Sequence, residues 1–374
     1  MERLRNLNMG QKLKNLVMLQ GRSFIIKVII YAILVTLIVL TAIFVYGKST
    51  LRERDCDALA YMYPDFPTLG PVASSDFLLR DYYIKTAANC CNPGNLDNAY
   101  VDLCALQNAI KQGYRCLDFA IFSINDKPVI ASSDSASFKV KESYNSIAFA
   151  EAMLAVNNYA FSSATCPNFS DPLIVYLRIK SNNDKILAPI ANAIRVNLGS
   201  HLLGRGYGSE YNGRNLGSLP LSVFKNKVII IVDKSNGIFE DSPLDELVNM
   251  ASNTPFMRSL TFENVKTSHD TQELTNFNKK NMTIVIPDEK LGLNNPSAAL
   301  CMQYGCQLIG MYPQLKNDNL DFYNDKFESA GSAFILKEQR LRYTPTTVTV
   351  PKAPSKELSY APRVAKTDYY NFTI

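Results

Sequence analysis

The chain has 374 residues, 47% hydrophobic and 20% charged, with a formal net charge of +5. These proportions exclude a chain that is disordered throughout, and so mild and diffuse a positive balance excludes a nucleic-acid partner while suiting an anionic membrane surface. Trp is absent and only two histidines occur, so the usual acid or base of neutral-pH catalysis is scarce.

Residues 1–27 are basic, and Leu4, Leu7, Leu13, Leu16 and Val17 lie among the charges. This pattern suits either a helix lying in a membrane interface or a solvated tail. Residues 28–46, VIIYAILVTLIVLTAIFVY, carry no charge. At the α-helical rise they cover roughly 28 Å, the hydrocarbon thickness of a bilayer, and predict one transmembrane helix. A signal peptide has a shorter apolar core and a small-residue cleavage site, which the following GKSTLRERD does not offer. Lys12, Lys14, Arg22 and Lys27 precede the span; Lys48, Arg52 and Arg54 follow it. The positive-inside rule leans toward a cytoplasmic N-terminus, with the bulk of the chain on the lumenal or exterior side. Residues 47–75 read as a linker.

Beyond the linker, apolar runs at 115–124, 128–133, 173–179 and 228–234 read as strands. Between them, 100–113, 146–161 and 186–203 have helical spacing, and Gly113 sits where a helix C-cap belongs. Strand and helix alternating in this way predict parallel βαβ units, and enough of them close a barrel. The glycine-rich 204–218 lacks the strand-then-helix context of a phosphate loop and reads as a flexible loop. Residues 236–283 are polar and read as an insertion. Residues 284–342 form a second ordered block, and 343–374, rich in Pro, Thr and Lys, predict an extended or disordered tail.

The eight cysteines include no CxxC pair and no Cys/His cluster with metal-ligand spacing, which leaves buried thiols or disulfides open. Sequons at Asn168, Asn281 and Asn371 are no more than an Asn-rich chain supplies by chance.

Several stretches, in this order, resemble the catalytic barrel of phosphoinositide-specific phospholipase C, with its X and Y halves. YVDLCALQNAIKQGYRCLDFAIFSINDKPVI resembles the family's helix ending in G-x-R-C, followed by a strand, a short turn and P-V-I. LPLSVFKNKVIII, YGCQLIGMYPQ and GSAFILKEQRLR resemble later family blocks. The likeness covers roughly 76–235 and 284–342. It implies an α/β fold, a TIM-type (β/α) barrel of the PLC-like phosphodiesterase kind, preceded by one transmembrane helix. Its site would lie at the C-terminal ends of the strands.

Family chemistry uses two histidines and a Ca²⁺ ion held by Asn, Glu, Asp and Glu. Matched here, the first histidine position is Ala88, and its neighbouring asparagine survives as Asn89. The two strand carboxylates fall on Asp118 and Ala120, the second histidine on Ser132 and the last metal glutamate on Arg178. The family's two phosphate-gripping lysines fall on Ile231 and Asp233, with Lys234 just beyond. A methyl group transfers no proton, and a serine hydroxyl titrates far from neutrality. Asn89 and Asp118 alone fall short of the about six to eight oxygens that Ca²⁺ takes. The resemblance therefore predicts no catalytic residue, no metal and no cofactor, with the Ca²⁺ site lost. Arg178 is expected to pair with Asp118. His201 and His269 match neither catalytic position and read as capping or surface residues.

The leading expectation is a membrane-anchored pseudoenzyme acting as a scaffold or interaction module, with a lipid bilayer and an unidentified protein as partners. Its Asn-rich, tryptophan-free style suits a large DNA virus. One alternative is a module for anionic phospholipid head groups, with Lys225, Lys227 and Lys234 joining Arg178 as phosphate contacts. The other is a phosphoric diester hydrolase with a rebuilt site.

Overall fold

The computed structural model describes residues 2–133, 138, 140, 142–288, 293–345 and 361–373. The first element is a single long helix, α1 (Glu2–Met62). The segment Phe24–Met62 is long and apolar enough to cross a membrane, and none of its most apolar window is buried against the rest of the described chain. The side chains of Leu4, Leu7, Leu13, Leu16 and Val17, on which the interfacial-helix reading falls, lie outside the described residues.

Eight strands run parallel: β1 (Tyr82–Ala87), β2 (Cys116–Ile124), β5 (Leu173–Ile179), β6 (Val228–Asp233), β7 (Met250–Ser252), β8 (Met257–Thr261), β9 (Met282–Ile286) and β10 (Leu308–Met311). Their spatial order is β7-β6-β5-β2-β1-β10-β9-β8. The edge strands β7 and β8 share no ladder, and the isolated antiparallel Thr254–Met257 bridge lies in the turn that joins them, so the barrel is nearly closed rather than fully laddered. β3 (Lys127–Ile130) folds back on β2, β4 (Ile147–Ala148) pairs with β3, and β11 (Phe334–Leu336) runs antiparallel to β1.

Side-chain alternation divides the core. Tyr82, Ile84, Cys116, Ile174, Tyr176, Ile229, Ile231, Met282, Ile284 and Leu308 fill the barrel interior. The intervening positions, such as Leu117, Val175, Leu177, Ile230 and Ile309, pack outward. They meet α2 (Leu103–Lys111), α3 (Phe149–Ala160), α4 (Leu187–Leu198) and their neighbours. Strands buried on both faces read as continuous apolar runs, which is why β5 and β6 were legible in the sequence. Asp102 caps α2 by accepting from the Cys104 amide. Gly113 follows the end of α2 at φ +73°, a conformation that a β-carbon would strain.

Two boundaries differ from the sequence reading. The supposed linker 47–75 is helical as far as Met62. It packs along the barrel through Lys48, Arg52, Cys56, Leu59 and Tyr63, a stripe at helical spacing. Charges between the stripe positions hid that face. The supposed insertion 236–283 supplies β7 and β8 together with α6 (Phe262–Lys266) and α7 (Thr271–Lys280). Strands of three and five residues, MAS and MRSLT, are too short and too polar to show a period.

The glycine-rich 204–218 is ordered as short turns. They include α5 (Gly208–Gly213), where Ser209 to Asn212 all take left-handed φ of 48–54°. The barrel is completed by α8 (Ala298–Gln303) and α9 (Asp318–Ala330). Residues 343–374 form a separate unit. Its described part is a hairpin of β12 (Val364–Lys366) and β13 (Asn371–Thr373). The centre of the predicted tail, 346–360, lies outside the described residues.

One disulfide, Cys56–Cys104, joins α1 to α2, while Cys90, Cys91, Cys116, Cys166, Cys301 and Cys306 are buried thiols. Both alternatives left open by the sequence thus occur. The sequon residue Asn168 is fully buried and bonds the Gly113 carbonyl, whereas Asn371 is exposed.

Candidate functional site: the C-terminal end of the barrel

The inward alternation of β2 and β5 aims Asp118, Ala120 and Arg178 into the C-terminal end of the barrel, with Ala120 directly across from Arg178 in the ladder. Arg178 donates from Nε to Asp118 Oδ1 at 2.7 Å and from Nη2 to Oδ2 at 2.8 Å. This two-point geometry is the strong form of the contact. The same Nη2 also donates to Asn89 Oδ1 at 2.6 Å. Asn89 takes φ +43°, and its amide donates to Asp118 Oδ2 at 2.9 Å. The Cys90 amide bonds the Asp118 carbonyl. Asp118 is fully buried, and Arg178 is only 4% exposed. The pairing that the strand match predicts is therefore present. Both oxygen-bearing groups that the resemblance associates with a metal bond one guanidinium.

Ala88 is fully buried, and its amide donates to the Met311 carbonyl. It packs at Gly310, where a β-carbon would stand 3.2 Å from the Ala88 methyl. Ser132 is buried, and its Oγ accepts from Asn92 Nδ2 at 2.6 Å. Ala120 belongs to a small apolar cluster with Phe122, Val129 and Ala131. The six positions matched to catalytic or metal-binding groups thus gather at one end of the barrel, and all are buried.

The lysines do not join them. β5 and β6 pair in register from Leu173–Val228 to Leu177–Val232. Lys225 and Lys227 accordingly precede β6 at the opposite end of the barrel from Arg178. Lys225 is exposed, and Lys227 Nζ reaches the Ser200 carbonyl at 3.4 Å. Lys234 lies at the correct end, but its ammonium is held by Glu210 at 2.8 Å and Glu240 at 2.7 Å. No convergent phosphate cluster forms among these residues. Of the two histidines, His201 stacks on Phe161 with ring centroids 3.8 Å apart and bonds the Asn226 carbonyl, while His269 is exposed. A cleft of about 860 Å³ exists near Arg195, Leu203, Arg205 and Asn249, but none of its lining residues is a matched site position.

A second polar row was not visible in the sequence. Tyr176 OH pairs with Ser252 Oγ at 2.9 Å, and Ser252 donates to Asp233 Oδ1 at 3.1 Å. Ser235 and Asn253 also bond that carboxylate oxygen. Burial drives the Tyr176 hydroxyl pKa well up, so the ring stays protonated at neutral pH. The row lies along β5, β6 and β7, and the shortness of β7 concealed it.

The opposite end of the barrel buries cations without bonded carboxylates. Lys85 donates to the Gln112 carbonyl at 3.0 Å, and Lys337 to those of Asn278 and Gly305. Burial pushes both ammonium pKa values down to about 7.

No protein-family model matches the chain, and no curated protein matches its sequence. Solved structures do resemble it. The barrel superposes on crystal structures of PLC21 from S. officinalis and from L. pealei with TM-scores of 0.58 and 0.57. Each is 16% identical to it, and each match covers 72% of this chain and 38% of the other. A calcium-dependent phosphoinositol-specific phospholipase C from Pseudomonas sp is also similar, with a TM-score of 0.43, 12% identity, and 68% of this chain and 97% of that one covered. The architecture is a TIM-type parallel barrel behind one long apolar helix. More narrowly, it has the PI-PLC-like fold, and the chain spans about two fifths of the length of the two PLC21 proteins it resembles.

Proposed function

We propose that this chain is a membrane-anchored, phospholipase C-like barrel without phosphodiesterase chemistry, which serves as a scaffold or interaction module at a membrane. One observation carries the reading: the Arg178 guanidinium lies between Asn89 and Asp118 and bonds the Asn89 side-chain oxygen and both Asp118 carboxylate oxygens. A Ca²⁺ ion there would meet a fixed cation and too few oxygen donors, so the residues do not fit the metal. Ala88 and Ser132 stand where the resemblance requires imidazoles, and neither side chain moves a proton near neutral pH. All six matched positions are buried.

The anchor is a single span over 28–46 with the N-terminus on the cytoplasmic side. The Cys56–Cys104 bridge supports that orientation, because disulfides persist on the oxidising side of a membrane. All six remaining cysteines are buried, so none meets an oxidising solvent.

The reading is tested by incubating the full chain with phosphatidylinositol in mixed micelles, with and without Ca²⁺. No turnover is expected. Turnover that disappears in Asp118→Ala would overturn the reading and favour a rebuilt hydrolase. Deleting 28–46 should release the chain to the soluble fraction. Retention of the deleted form through alkaline carbonate extraction would mean that another segment is inserted.

A further inference from the structure

Three N-x-S/T motifs, at Asn168, Asn281 and Asn371, have no part in the matched site. A glycan joins such a motif at the asparagine Nδ2, and the hydroxyl two residues on is part of what the transferase reads, so both groups must be reachable. The structure separates the three. Asn168 is fully buried; its Nδ2 donates to the Gly113 carbonyl at 3.1 Å, and its Oδ1 accepts from Cys166 Sγ at 3.1 Å. A sugar there would stand inside the core. Asn281 is half-buried, and its Oδ1 accepts from Asn215 Nδ2 at 3.1 Å. The hydroxyl of its motif belongs to Thr283, which is fully buried in β9 and donates to Asn278 Oδ1 at 2.5 Å. That bond seals the motif once α7 and β9 have formed.

Asn371 differs on each count. It opens β13, across from Lys366 of β12, in the hairpin of the second unit. Asn371, Phe372 and Thr373 are all exposed. Alternation along the strand puts Asn371 and Thr373 on one face and Phe372 on the other. The Phe372 ring packs on Tyr370 with centroids 5.1 Å apart, so the aromatic pair keeps to its own face and leaves the amide and the hydroxyl clear. A two-stranded hairpin is marginally stable by itself, so this segment opens readily into the extended form that a transferase binds. The motif also lies on the required side of the membrane. α1 holds the one candidate span among the described residues, and Lys352, Lys356, Glu357, Arg363 and Lys366 interrupt the stretch from 343 to Asn371. Asn371 therefore shares a side with the Cys56–Cys104 bridge, which marks the oxidising one.

We propose that Asn371 is a site of N-linked glycosylation, alone among the three motifs, with a lipid-linked oligosaccharide as the donor. Asn371 Nδ2 forms a bond to the anomeric carbon of the sugar, the bond from that carbon to the lipid pyrophosphate breaks, and one amide proton leaves to a base of the transferase. The assignment rests on the orientation given above and adds to it a covalent modification of the second unit. The glycan also has a physical use there. Tyr369 is 96% exposed and Phe372 50%, on a two-stranded sheet with open edges, and a bulky sugar keeps such an edge from pairing with another chain.

The test is translation of the full chain into sealed endoplasmic-reticulum microsomes, with peptide mass spectrometry after enzymatic glycan release, which converts a modified asparagine to aspartate. Conversion at 371 alone is expected, together with a gel-mobility shift that release abolishes. Asn371→Gln and Thr373→Ala should each lose the shift, and Thr373→Ser should keep it. Conversion at Asn168 or Asn281 in place of Asn371 would overturn the assignment. So would the absence of any conversion in a chain whose barrel is shielded from added protease. Digestion of the barrel by protease added outside the sealed microsomes would instead defeat the orientation reading, and the glycan assignment with it.

Discussion

The two ends of this barrel handle buried charge in opposite ways. At the mouth, Asp118 and Arg178 neutralise one another through two hydrogen bonds, and Asn89 completes the set. At the far end, Lys85 and Lys337 are satisfied by backbone carbonyls, and burial lowers their pKa values to about 7. A paired charge depends on its single partner. An ammonium held by carbonyls can shed its proton and has no single partner to lose. The difference suggests that the mouth is a fixed plug, whereas the far end is sensitive to pH.

Removing one member of the plug should have the largest effect. Arg178→Leu leaves a buried carboxylate unpaired and should lower stability by about 3–5 kcal/mol in chemical denaturation. The double variant Arg178→Leu with Asp118→Leu should recover most of that loss, since two apolar groups leave no orphaned charge. Equal destabilisation in both variants would show that packing, not pairing, matters at the mouth.

The tie between helix and barrel comes next. Replacing Cys56 by Ser opens a bridge between positions 48 residues apart and should destabilise the barrel by about 2–4 kcal/mol. Reducing agent should lower the wild-type melting temperature and leave the variant unchanged. No response in either would mean that the bridge does not form in solution.

The smallest effect belongs to the far end. A lysine whose folded pKa lies below its unfolded value binds fewer protons when folded, so stability rises with pH between the two values. For Lys85 and Lys337 that window opens near pH 7. Above about pH 9, the buried thiols of Cys301 and Cys306 act the other way, because burial raises their pKa values. Between pH 7 and 9 stability should therefore rise, by on the order of 1–2 kcal/mol per lysine. Lys85→Met should flatten the rise, and an equal slope in that variant would remove Lys85 as its cause.

Legibility in the sequence followed the length and burial of each element. β2, β5 and β6 are long apolar runs, and the order of their motifs was enough to indicate the barrel and to bring Asp118 and Arg178 together. β7 and β8 are short and read in the sequence as part of a polar insertion, which hides the Tyr176–Ser252–Asp233 row. The juxtamembrane stripe of Lys48, Arg52, Cys56 and Leu59 has helical spacing, but a mixed-charge helix gives little apolar signal. The lysines failed for a different reason. Lys225 and Lys227 are near Lys234 in sequence, yet β6 carries them to the other end of the barrel.

The central proposal is that the Arg178 guanidinium, and no metal ion, takes up the side-chain oxygens of Asn89 and Asp118. Calorimetric titration of the full chain with Ca²⁺ tests it most directly. The account predicts no binding in the roughly micromolar range typical of sensor sites. Micromolar binding that disappears in Asn89→Ala or Asp118→Ala would contradict it.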